Sequence, residues 1–427
     1  MSLDSLSSQP EDSQLQASIK DIYTRYETLE REFTEKFKGK IDLQPHEVLK
    51  LAFLIENDFR KAHFKKQKMA SEYLGEELTK LPVALEYYKD RNVIIIIPQE
   101  ELYAGSQKHI KVCAQVSLES PLAPLDKVVR AATRSYPLDS VSGKPRPITP
   151  YEMACNKQEI ALLRECSDYP DSWSPVVKLL SVRNFLKTIR GDEGDISIEK
   201  SVAIYDYYEG SLFSLLLDLQ KIEESGRSTI NSRLKMAEDI LNGVDFIHSK
   251  GIVHGDIKPE NYLYKEVNGE FRLCLCDFGH GYKKDAESTK LPPNSYLARC
   301  LYGSFKYSAP ELILPNRYSA LDGAKIDTWA AGCILFLLAF PGKDPPWMEL
   351  LKDVRTVDQL HDYRLVAQFV DILKAVRAQW MRPLLIKEKT GKPQPLTKNE
   401  ALALLSYKML INRIDIKEAK EELKKIV

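Results

Sequence analysis

Apolar positions between residues 14 and 90 recur every three or four residues, which is the spacing of one buried helix face. Gly39 ends a first such stripe, and a second stripe runs from Val48 to Ala62. Residues 1–13 are rich in Ser, Asp and Gln and show no such period, so we expect them to be disordered. The pattern predicts a helical N-terminal region over 14–90, whose apolar stripes would bind a partner or the unit that follows.

Beyond this helical region, the pattern changes to short branched runs that are typical of strands. Val93–Pro98 and Ile110–Ser117 predict a strand pair, and Asp126–Thr133 predicts a third strand. Residues 135–150 are rich in Pro, Ser and Gly and predict a loop. We therefore expect a small strand-rich unit, which we assign to residues 91–209.

Helical patterns return at Met153–Cys166 and dominate the chain beyond residue 210. Two short strands interrupt them, at Tyr262–Tyr264 and at Leu273–Cys276. The sequence therefore predicts an α+β fold, in which the small strand-rich unit is followed by a larger helical unit over residues 210–427.

Charge and cysteine content narrow the class of protein further. Lys plus Arg and Asp plus Glu are equal at 61 each, so net charge favours neither nucleic acid nor a membrane surface as the partner. The longest branched apolar run, Val93–Ile97, is far shorter than the roughly 20 residues of a membrane-spanning helix. Seven scattered cysteines and no conventional secretory signal predict a cytoplasmic or otherwise intracellular, reducing location, although a specialised export signal escapes this test.

Acidic, amide and basic side chains cluster in two short stretches of the helical unit. His254–Asn261 precedes one of the short strands, and Asp277 lies sixteen residues beyond Asn261. Carboxylate and amide oxygens are the ligands that Mg²⁺ prefers, so Asn261 and Asp277 predict a metal site. A second carboxylate, Asp256, would orient an attacking hydroxyl, and Lys258 would neutralise charge on a transferring phosphoryl group. These residue types together suit phosphoryl transfer.

The order and spacing of these stretches resemble the eukaryotic-type Ser/Thr protein kinase family. His254–Asn261 matches the family's H-R-D-x-K-x-x-N loop, except that Gly255 stands where arginine is usual, and Asp277–Gly279 matches its D-F-G. Residues 303–311 resemble the G-T-x-x-Y-x-A-P-E element that ends an activation segment, and residues 327–332 resemble D-x-W-S-x-G. Four matches in the family's own order make coincidence a poor explanation.

The resemblance implies a bilobal kinase fold, with a small antiparallel-sheet N-lobe and a mostly helical C-lobe. It implies ATP as the phosphoryl donor, Mg²⁺ or Mn²⁺ as the metal and a protein as the substrate. In the family's roles, Asp256 and Lys258 would be catalytic, while Asn261 and Asp277 would hold the metal. The residues that would shape the site and the activation segment are His254, Phe278, Gly279, Ser304, Glu311, Asp327 and Arg413.

The nucleotide-binding loop matches the family less well. Residues 102–110 align with the glycine-rich loop, yet only the middle glycine, Gly105, is present before Ile110 at the family's valine position. Glycine lets backbone N–H groups approach phosphates closely, so we expect the substituted loop to be stiffer. By resemblance, the backbone that would hold the adenine belongs to Asp206, Tyr207 and Tyr208.

The cation that would hold the nucleotide phosphates also departs from the family. Arg130 stands at the position of the third-strand lysine, and Lys127 and Lys144 are the alternatives. Arginine keeps the charge but has a wider, forked head, so the exchange is not conservative. Glu159, in the predicted helix, is the expected partner of this cation.

Residues 346–397 form a segment that is longer than the corresponding part of the family. The segment contains Trp347, Trp380 and several basic residues. It would either dock a substrate or partner, or add to the core of the helical unit. Beyond it, the resemblance pairs Arg413 with Glu311.

Two functions remain open at this level. The first is an active Ser/Thr kinase, which the complete set of Asp256, Lys258, Asn261 and Asp277 favours. The second is a pseudokinase that binds nucleotide or acts as a scaffold, which the substituted glycine-rich loop favours. A module that only binds a partner has no evident use for the complete set, so the enzyme is the preferred interpretation.

Gly255 generates a first prediction. In family members with arginine at this position, that side chain commonly contacts a phosphate on the activation segment, and glycine has no side chain to do so. We expect activity to survive treatment with a phosphatase, measured as transfer of labelled phosphate before and after treatment. Loss of activity that traces to one phosphorylated residue of the activation segment would contradict this prediction.

Overall fold

The structure is a computed structural model that describes most of the chain beyond residue 82. The described residues are 83–88, 90, 91, 93–98, 103, 104, 108–117, 126–133, 150–167, 169, 173–191, 194–224, 229–284, 305–314, 322–354, 356–392 and 394–427. The predictions of a disordered segment over 1–13 and of helices up to residue 82 lie outside this part of the chain. No helix within it is both long and apolar enough to cross a membrane.

The chain divides into two compact units. The first contains the described residues below 148 together with Leu180–Tyr207, and the second contains Ile148–Leu179 and Tyr208–Val427. The first is built on one sheet and the second is mostly helical. The predicted α+β fold, with a small strand-rich unit and a larger helical unit, is therefore confirmed.

An antiparallel sheet of seven strands forms the first unit. Its strands lie in the order β1-β2-β4-β5-β7-β6, and β3 pairs with β4. Branched and aromatic residues dominate these strands, as expected for a pleated surface with one buried face. The strands are β1 Val83–Tyr88, β2 Val93–Pro98, β3 Tyr103–Ala104, β4 Lys108–Ser117, β5 Asp126–Thr133, β6 Leu179–Gly191 and β7 Gly194–Asp206.

The first strand corrects one prediction. The helical N-terminal region was expected to extend to residue 90, whereas Val83–Tyr88 form β1 and pair residue by residue with Val93–Pro98. Tyr88 is fully buried because its ring lies in the core of the sheet. Pairing with a neighbouring strand therefore overrides the helical pattern. The members of this core are Tyr88, Val93, Ile95, Ile97, Cys113, Val128 and Ile204.

Helices and short strands make up the second unit. The helices are α1 Pro150–Glu165, α2 Leu212–Glu224, α3 Ile230–Ser249, α4 Pro310–Ile313, α5 Gly323–Ala339, α6 Pro346–Leu351, α7 Val357–Leu360, α8 Tyr363–Ala375, α9 Arg382–Thr390, α10 Lys398–Tyr407 and α11 Ile416–Lys424. The strands are β8 Gly210–Ser211, β9 Ile252–Val253, β10 Tyr262–Val267, β11 Glu270–Leu275 and β12 Tyr282–Lys283.

Two helices form the centre of the second unit. Helix α3 begins with a capping box, in which the side chains of Thr229 and Ser232 each accept the other's backbone N–H. Helix α5 is apolar around most of its circumference and almost wholly buried, as expected for a helix enclosed by others. Asp322 caps α5 by accepting the N–H of Ala324.

Helix α1 belongs to the helical unit rather than to the sheet. The expected boundary assigned residues 91–209 to one unit, but 148–179 group with the second unit. The reason is packing: Leu162 of α1 is buried, and its Cδ1 lies 2.9 Å from where a Cβ on Gly281 would stand. The side chain of Gln158 also donates to the carbonyl of Gly281 at 2.9 Å.

The long segment at residues 346–397 contributes to the core and also presents an exposed aromatic residue. Trp347 is fully buried and packs against Trp329 of α5, with ring centroids 5.7 Å apart. Trp380 is 41% exposed, although its ring stacks on Phe336 at 6.4 Å. The buried Trp347 therefore supports the interpretation as added core, and the exposed Trp380 supports the interpretation as a docking segment.

Gly323, the first residue of α5, generates a second prediction. A Cβ at this position would overlap the hydroxyl of Tyr282 and lie 2.7 Å from Cγ1 of Val253. We expect Gly323→Ala to lower the free energy of unfolding by about 1–3 kcal/mol, measured by urea denaturation. Tyr282→Phe removes the overlapping hydroxyl, so the double variant should lose less than the sum of the single variants. Strict additivity of the two changes would contradict this packing.

Candidate active site

The carboxylate of Asp327 anchors the loop that carries most of the candidate site. It projects from α5, is 1% exposed and accepts three hydrogen bonds. The backbone N–H groups of His254 and Gly255 donate at 2.8 and 2.9 Å. Nε2 of His248, at the end of α3, lies 3.0 Å from the same carboxylate. A buried carboxylate is tolerated only when it is bonded in this way, so helix and loop fix each other.

The imidazole of His254 connects two acidic positions. Its Nδ1 accepts the backbone N–H of Asp256 at 3.2 Å, and its Nε2 lies 2.9 Å from the carbonyl oxygen of Cys276. Because Nδ1 accepts, Nε2 carries the proton and donates to that carbonyl. A neutral imidazole therefore fixes the backbone of Asp256 and of the residue before Asp277 at the same time.

Three side chains of the loop form a compact polar group. Nζ of Lys258 lies 2.6 Å from Oδ2 of Asp256. Nδ2 of Asn261 donates to the carbonyl oxygen of Asp256 at 2.8 Å and to its Oδ2 at 3.1 Å. One carboxylate oxygen of Asp256, Oδ2, therefore accepts hydrogen bonds from both the lysine and the amide.

The electrostatics of this group keep Lys258 charged. Burial alone would lower the pKa of the lysine, but attraction to Asp256, their hydrogen bond and the charges of Asp277 and Glu260 raise it above its usual value. Lys258 is therefore an ammonium throughout the neutral range. An ammonium held beside Asp256 can also stabilise the negative charge of an anion that binds next to this carboxylate.

Asp277 adopts a backbone conformation that is rare for its residue type. Its φ and ψ are 63° and 71°, in the left-handed region, just before the short 3₁₀ turn Phe278–His280. Phe278 is fully buried, and its ring lies 4.9 Å from that of His254. This buried anchor turns the chain so that the side chain of Asp277 is exposed. Strain held by packing in this way is frequent at functional positions.

The site residues fit a divalent metal ion by the chemistry of their donors. Both N–H groups of the Asn261 amide point to Asp256, so its Oδ1 is the atom left to face a ligand. The carboxylate of Asp277 supplies a second hard oxygen, as Mg²⁺ and Mn²⁺ prefer. Asn261 and Asp277 are therefore the residues that would hold the ion.

Gly255 has a backbone role that sequence reasoning missed. Its φ is 78°, a conformation that glycine adopts without penalty and that side chains disfavour. Arginine, the family's usual residue here, would be strained by about 1–2 kcal/mol in the same conformation. The signal was visible in the sequence as the glycine itself, but it was interpreted only as a missing side chain.

A second group of contacts that the sequence did not indicate joins α1 to the turn after Asp277. Gln158 donates to Gly281, as described above, and Lys283 forms an ion pair with Glu165 at 2.5 Å. Glu159, between these contacts along the helix, is buried and has polar interactions of its own. These contacts connect residues more than a hundred positions apart, so no local pattern could reveal them.

Glu311 and Arg413 form an ion pair within the second unit. The same Arg413 nitrogen donates to the carbonyl of Lys325 at 3.3 Å, and the guanidinium lies 5.2 Å from the ring centroid of Trp329. Glu311 is buried in α4, so the pair joins that short helix to the segment before α11.

The residues predicted to hold the nucleotide are distributed between the two units. Ile110 lies on β4 opposite Ala131, and Arg130 lies on β5 opposite Lys111 and Ile204. Glu159 lies in the other unit, so its pairing with Arg130 stays a prediction. The three remaining candidates on described residues, which follow one another along the chain, are Asp206, Tyr207 and Tyr208.

The chain passes from the first unit to the second between Tyr207 and Tyr208. The carboxylate of Asp206 accepts the backbone N–H of Tyr207 at 3.0 Å. The ring of Tyr208 packs edge-on against Trp173, with centroids 6.3 Å apart. Nζ of Lys127, an alternative phosphate-binding cation, lies 5.3 Å from the ring centroid of Tyr207. The candidates Gly105, Lys144 and Ser304 lie outside the described residues.

Comparison with known proteins agrees with this arrangement. A family model described as "Protein kinase domain" matches residues 158–413. The match contains the loop around Asp256, the turn at Asp277, and the ion pair of Glu311 and Arg413. It begins at Gln158, so Gly105 and Arg130 lie outside it.

Individual relatives match shorter stretches. CBL-interacting protein kinase 11 of Oryza sativa subsp. japonica is 34% identical over 141 residues, which are 32% of this chain and 26% of the relative. MAP kinase-interacting serine/threonine-protein kinase 1 of Xenopus tropicalis is 30% identical over 161 residues, or 36% of each chain. The chain therefore spans about a quarter to a third of the length of these curated relatives.

The anchoring of the loop generates a third prediction. Asp327→Asn replaces one acceptor oxygen by an N–H₂ group, which must then face a donor. We expect the free energy of unfolding to fall by about 1–3 kcal/mol, because a buried donor loses its acceptor. Urea denaturation measures this change. Asp371→Asn, at an exposed residue of α8, is the matched control and should have little effect. Equal effects of the two substitutions would contradict the anchoring role.

Proposed function

The chain belongs to the protein kinase domain family, and from that premise we propose that it transfers the γ-phosphoryl group of ATP to Ser or Thr hydroxyls of a protein substrate. The observation that carries the proposal is the contact group of Asp256, Lys258 and Asn261, with Asp277 displayed on a turn anchored by Phe278. These four residue types are the ones that phosphoryl transfer uses to orient the hydroxyl, to neutralise charge and to hold the metal ion.

Asp256 is the proposed base. One of its carboxylate oxygens is held by Lys258 and Asn261, so the other is available to accept a hydrogen bond from the attacking hydroxyl. The carboxylate orients that hydroxyl toward the phosphorus and accepts its proton as the new bond forms. Holding the nucleophile in this way makes a bimolecular reaction effectively unimolecular.

Lys258 is the proposed neutralising cation. Its raised pKa keeps it charged at neutral pH, and it lies beside the oxygen that orients the nucleophile. The ammonium would stabilise the negative charge of the phosphoryl group as it transfers. Bound Mg²⁺ or Mn²⁺, held by Asn261 and Asp277, would supply charge neutralisation at the triphosphate.

The grip on the nucleotide is proposed from the resemblance. Backbone groups at Asp206, Tyr207 and Tyr208 would bind the adenine. Arg130, or in its place Lys127 or Lys144, would bind the phosphates, and Glu159 would form an ion pair with that cation. Support for Arg130 and for Lys127 is the charge of each and its place on β5, which lies between β4 and β7 in the sheet of the first unit. Gly105 and Ile110 would border the phosphates.

Specificity for Ser or Thr and location in the cell are part of the same proposal. Lys258 in the loop and Ser304 beyond it resemble the Ser/Thr branch of the family, and one matched relative is named a serine/threonine-protein kinase. A reducing, intracellular location is supported by the cysteines, since the six among the described residues are all free thiols.

A pseudokinase is the alternative function. It is supported by the substituted glycine-rich loop and by a family match that begins only at residue 158. Such a protein would bind ATP without transferring phosphate. Thermal stabilisation by ATP with no labelled product would favour this alternative.

Asp256 generates the fourth prediction. We expect Asp256→Asn to reduce phosphoryl transfer about 10²- to 10⁴-fold, because the hydroxyl loses the group that accepts its proton. The measurement is incorporation of labelled phosphate from ATP into a mixture of Ser- and Thr-containing peptides. Asp353→Asn, at an exposed acidic residue of the same unit, is the control and should retain full activity. Unchanged activity of the Asp256→Asn protein would overturn the proposed mechanism.

A further inference from the structure

A short segment between α1 and β6 lies beside β11. In this segment, residues 173–178, Val176 forms a parallel bridge with Leu275. The backbone N–H of Leu275 donates to the carbonyl of Pro175, and the N–H of Val177 donates to the carbonyl of Leu275, both at 2.8 Å. The segment therefore adds to the edge of the small sheet that β8, β10 and β11 form in the second unit.

Trp173, the first residue of this segment, is held through both its ring nitrogen and its ring face. The indole Nε1 donates to the carbonyl of Leu273 at 3.0 Å. The guanidinium of Arg272 lies over the same indole, with its Cζ 5.2 Å from the ring centroid. A cation over an aromatic face is attracted by the electrons of the ring, so the two contacts together favour one orientation of the indole.

Arg272 is itself held by a buried carboxylate of α3. The two oxygens of Asp239 accept its guanidinium at 2.9 and 3.0 Å, and one of them also accepts the backbone N–H of Leu273 at 2.9 Å. Asp239 is only 3% exposed. A two-point ion pair of this kind fixes direction as well as distance, so the cation that covers Trp173 is fixed relative to α3.

Tyr208 packs against this cluster at both ends of its side chain. Its ring meets that of Trp173 at 85°, with centroids 6.3 Å apart, and its hydroxyl accepts the backbone N–H of Lys178 at 3.4 Å. The backbone just beyond it is also held, because the N–H of Glu209 donates to the carbonyl of Tyr264 at 2.9 Å. Edge-on aromatic pairs have a preferred geometry, so these contacts restrain the rotation of Tyr208.

The residues of this cluster all belong to one compact unit. Trp173, Tyr208, Asp239 and Arg272 lie in the second unit, and Tyr208 is its first residue after the chain leaves the sheet of the first unit. The cluster therefore connects the start of that chain segment to a core helix through side chains alone.

We infer that Trp173 is a positioning residue for the adenine of the nucleotide, and that it acts through Tyr208. The inference rests on the part of the proposed function in which the backbone of Tyr208 binds this base. A hydrogen bond depends on angle as well as distance, so a Tyr208 backbone with more rotational freedom would bind the base less tightly. Trp173 would limit that freedom, and it needs no contact of its own with the nucleotide.

The same segment offers a second route to the nucleotide. Leu275, its partner on β11, comes two residues before Asp277, the proposed metal ligand. The contact with Tyr208 favours the first route, because the side chain of Trp173 makes it directly. The link to β11 is made by backbone groups of residues 175–177, which are unchanged in a variant of Trp173.

Isothermal titration calorimetry of the full chain, with ATP and Mg²⁺ and separately with adenosine, tests the inference. We expect Trp173→Ala to weaken both ligands about tenfold, because the loss falls on the base that they share. A loss through Asp277 would instead weaken ATP but not adenosine, which has no phosphate. Trp173→Phe keeps an aromatic ring against Tyr208 and should recover most of the affinity. Trp173→Leu keeps apolar volume and serves if Trp173→Ala does not fold.

Kinetics separate positioning from simple stabilisation. In the Trp173→Ala protein we expect KM for ATP to rise about tenfold, with kcat at saturating ATP within about twofold of the wild type. A residue that only stabilises the fold would have the opposite signature. Its loss would reduce the amount of native protein, so apparent kcat would fall and KM would not change.

A double variant tests whether Trp173 acts through Tyr208. Tyr208→Ala removes the side chain that Trp173 contacts, so adding Trp173→Ala to it should weaken adenosine by less than about twofold more. Tyr169→Ala is the matched control, because the ring of Tyr169 forms an edge-on pair with Phe246 of α3, with centroids 5.0 Å apart. It should lower the free energy of unfolding and leave the affinity for both ligands unchanged.

Three outcomes would overturn the inference. The first is an unchanged affinity for adenosine in the Trp173→Ala and Trp173→Leu proteins. The second is full additivity of Trp173→Ala and Tyr208→Ala. The third is wild-type protein that binds neither ATP nor adenosine. The proposed function fails on a different result, namely wild-type protein that binds ATP and transfers no phosphate, and calorimetry then still decides the role of Trp173.

Discussion

The carboxylate of Asp327, buried in α5, accepts the backbone N–H groups of His254 and Gly255 and contacts the imidazole of His248. Helix α5 can hold this carboxylate in the interior because donors from the loop and from α3 hydrogen-bond to it. The loop in turn cannot shift without leaving a buried carboxylate unpaired. The position of Asp256, the residue directly after Gly255, is thus set by the core of the helical unit.

His254 connects this anchor at Asp327 to the rest of the site. One neutral imidazole holds the backbone of Asp256 and the carbonyl of Cys276, and its ring packs on Phe278. The turn after Phe278 is then held by α1 through Gly281. Hydrogen bonds and apolar contacts alternate along this path and connect α1 to the turn that follows Asp277.

The sequence predicted the parts of this protein that are local. The strand Asp126–Thr133 has the predicted bounds, and the loop around Asp256 was found because its chemistry lies within eight consecutive residues. The strand Val83–Tyr88 was missed, because only its pairing partner distinguishes it from a helix end. The contact of Gln158 with Gly281 and the π-helical stretch Val376–Met381 depend on tertiary packing. Such packing produces no periodic pattern of apolar residues in the sequence.

Gly255 has a consequence for control of the protein. With arginine at this position, a kinase loop would store backbone strain and gain a receptor for phosphate, so that its geometry could depend on a covalent signal. Here Gly255 adopts the left-handed conformation without steric strain. The cost is the conformational entropy that this glycine loses when the chain folds. The loop of this protein therefore adopts this conformation without strain at Gly255. Regulation of the proposed activity would then act by a route other than a phosphate bound at position 255.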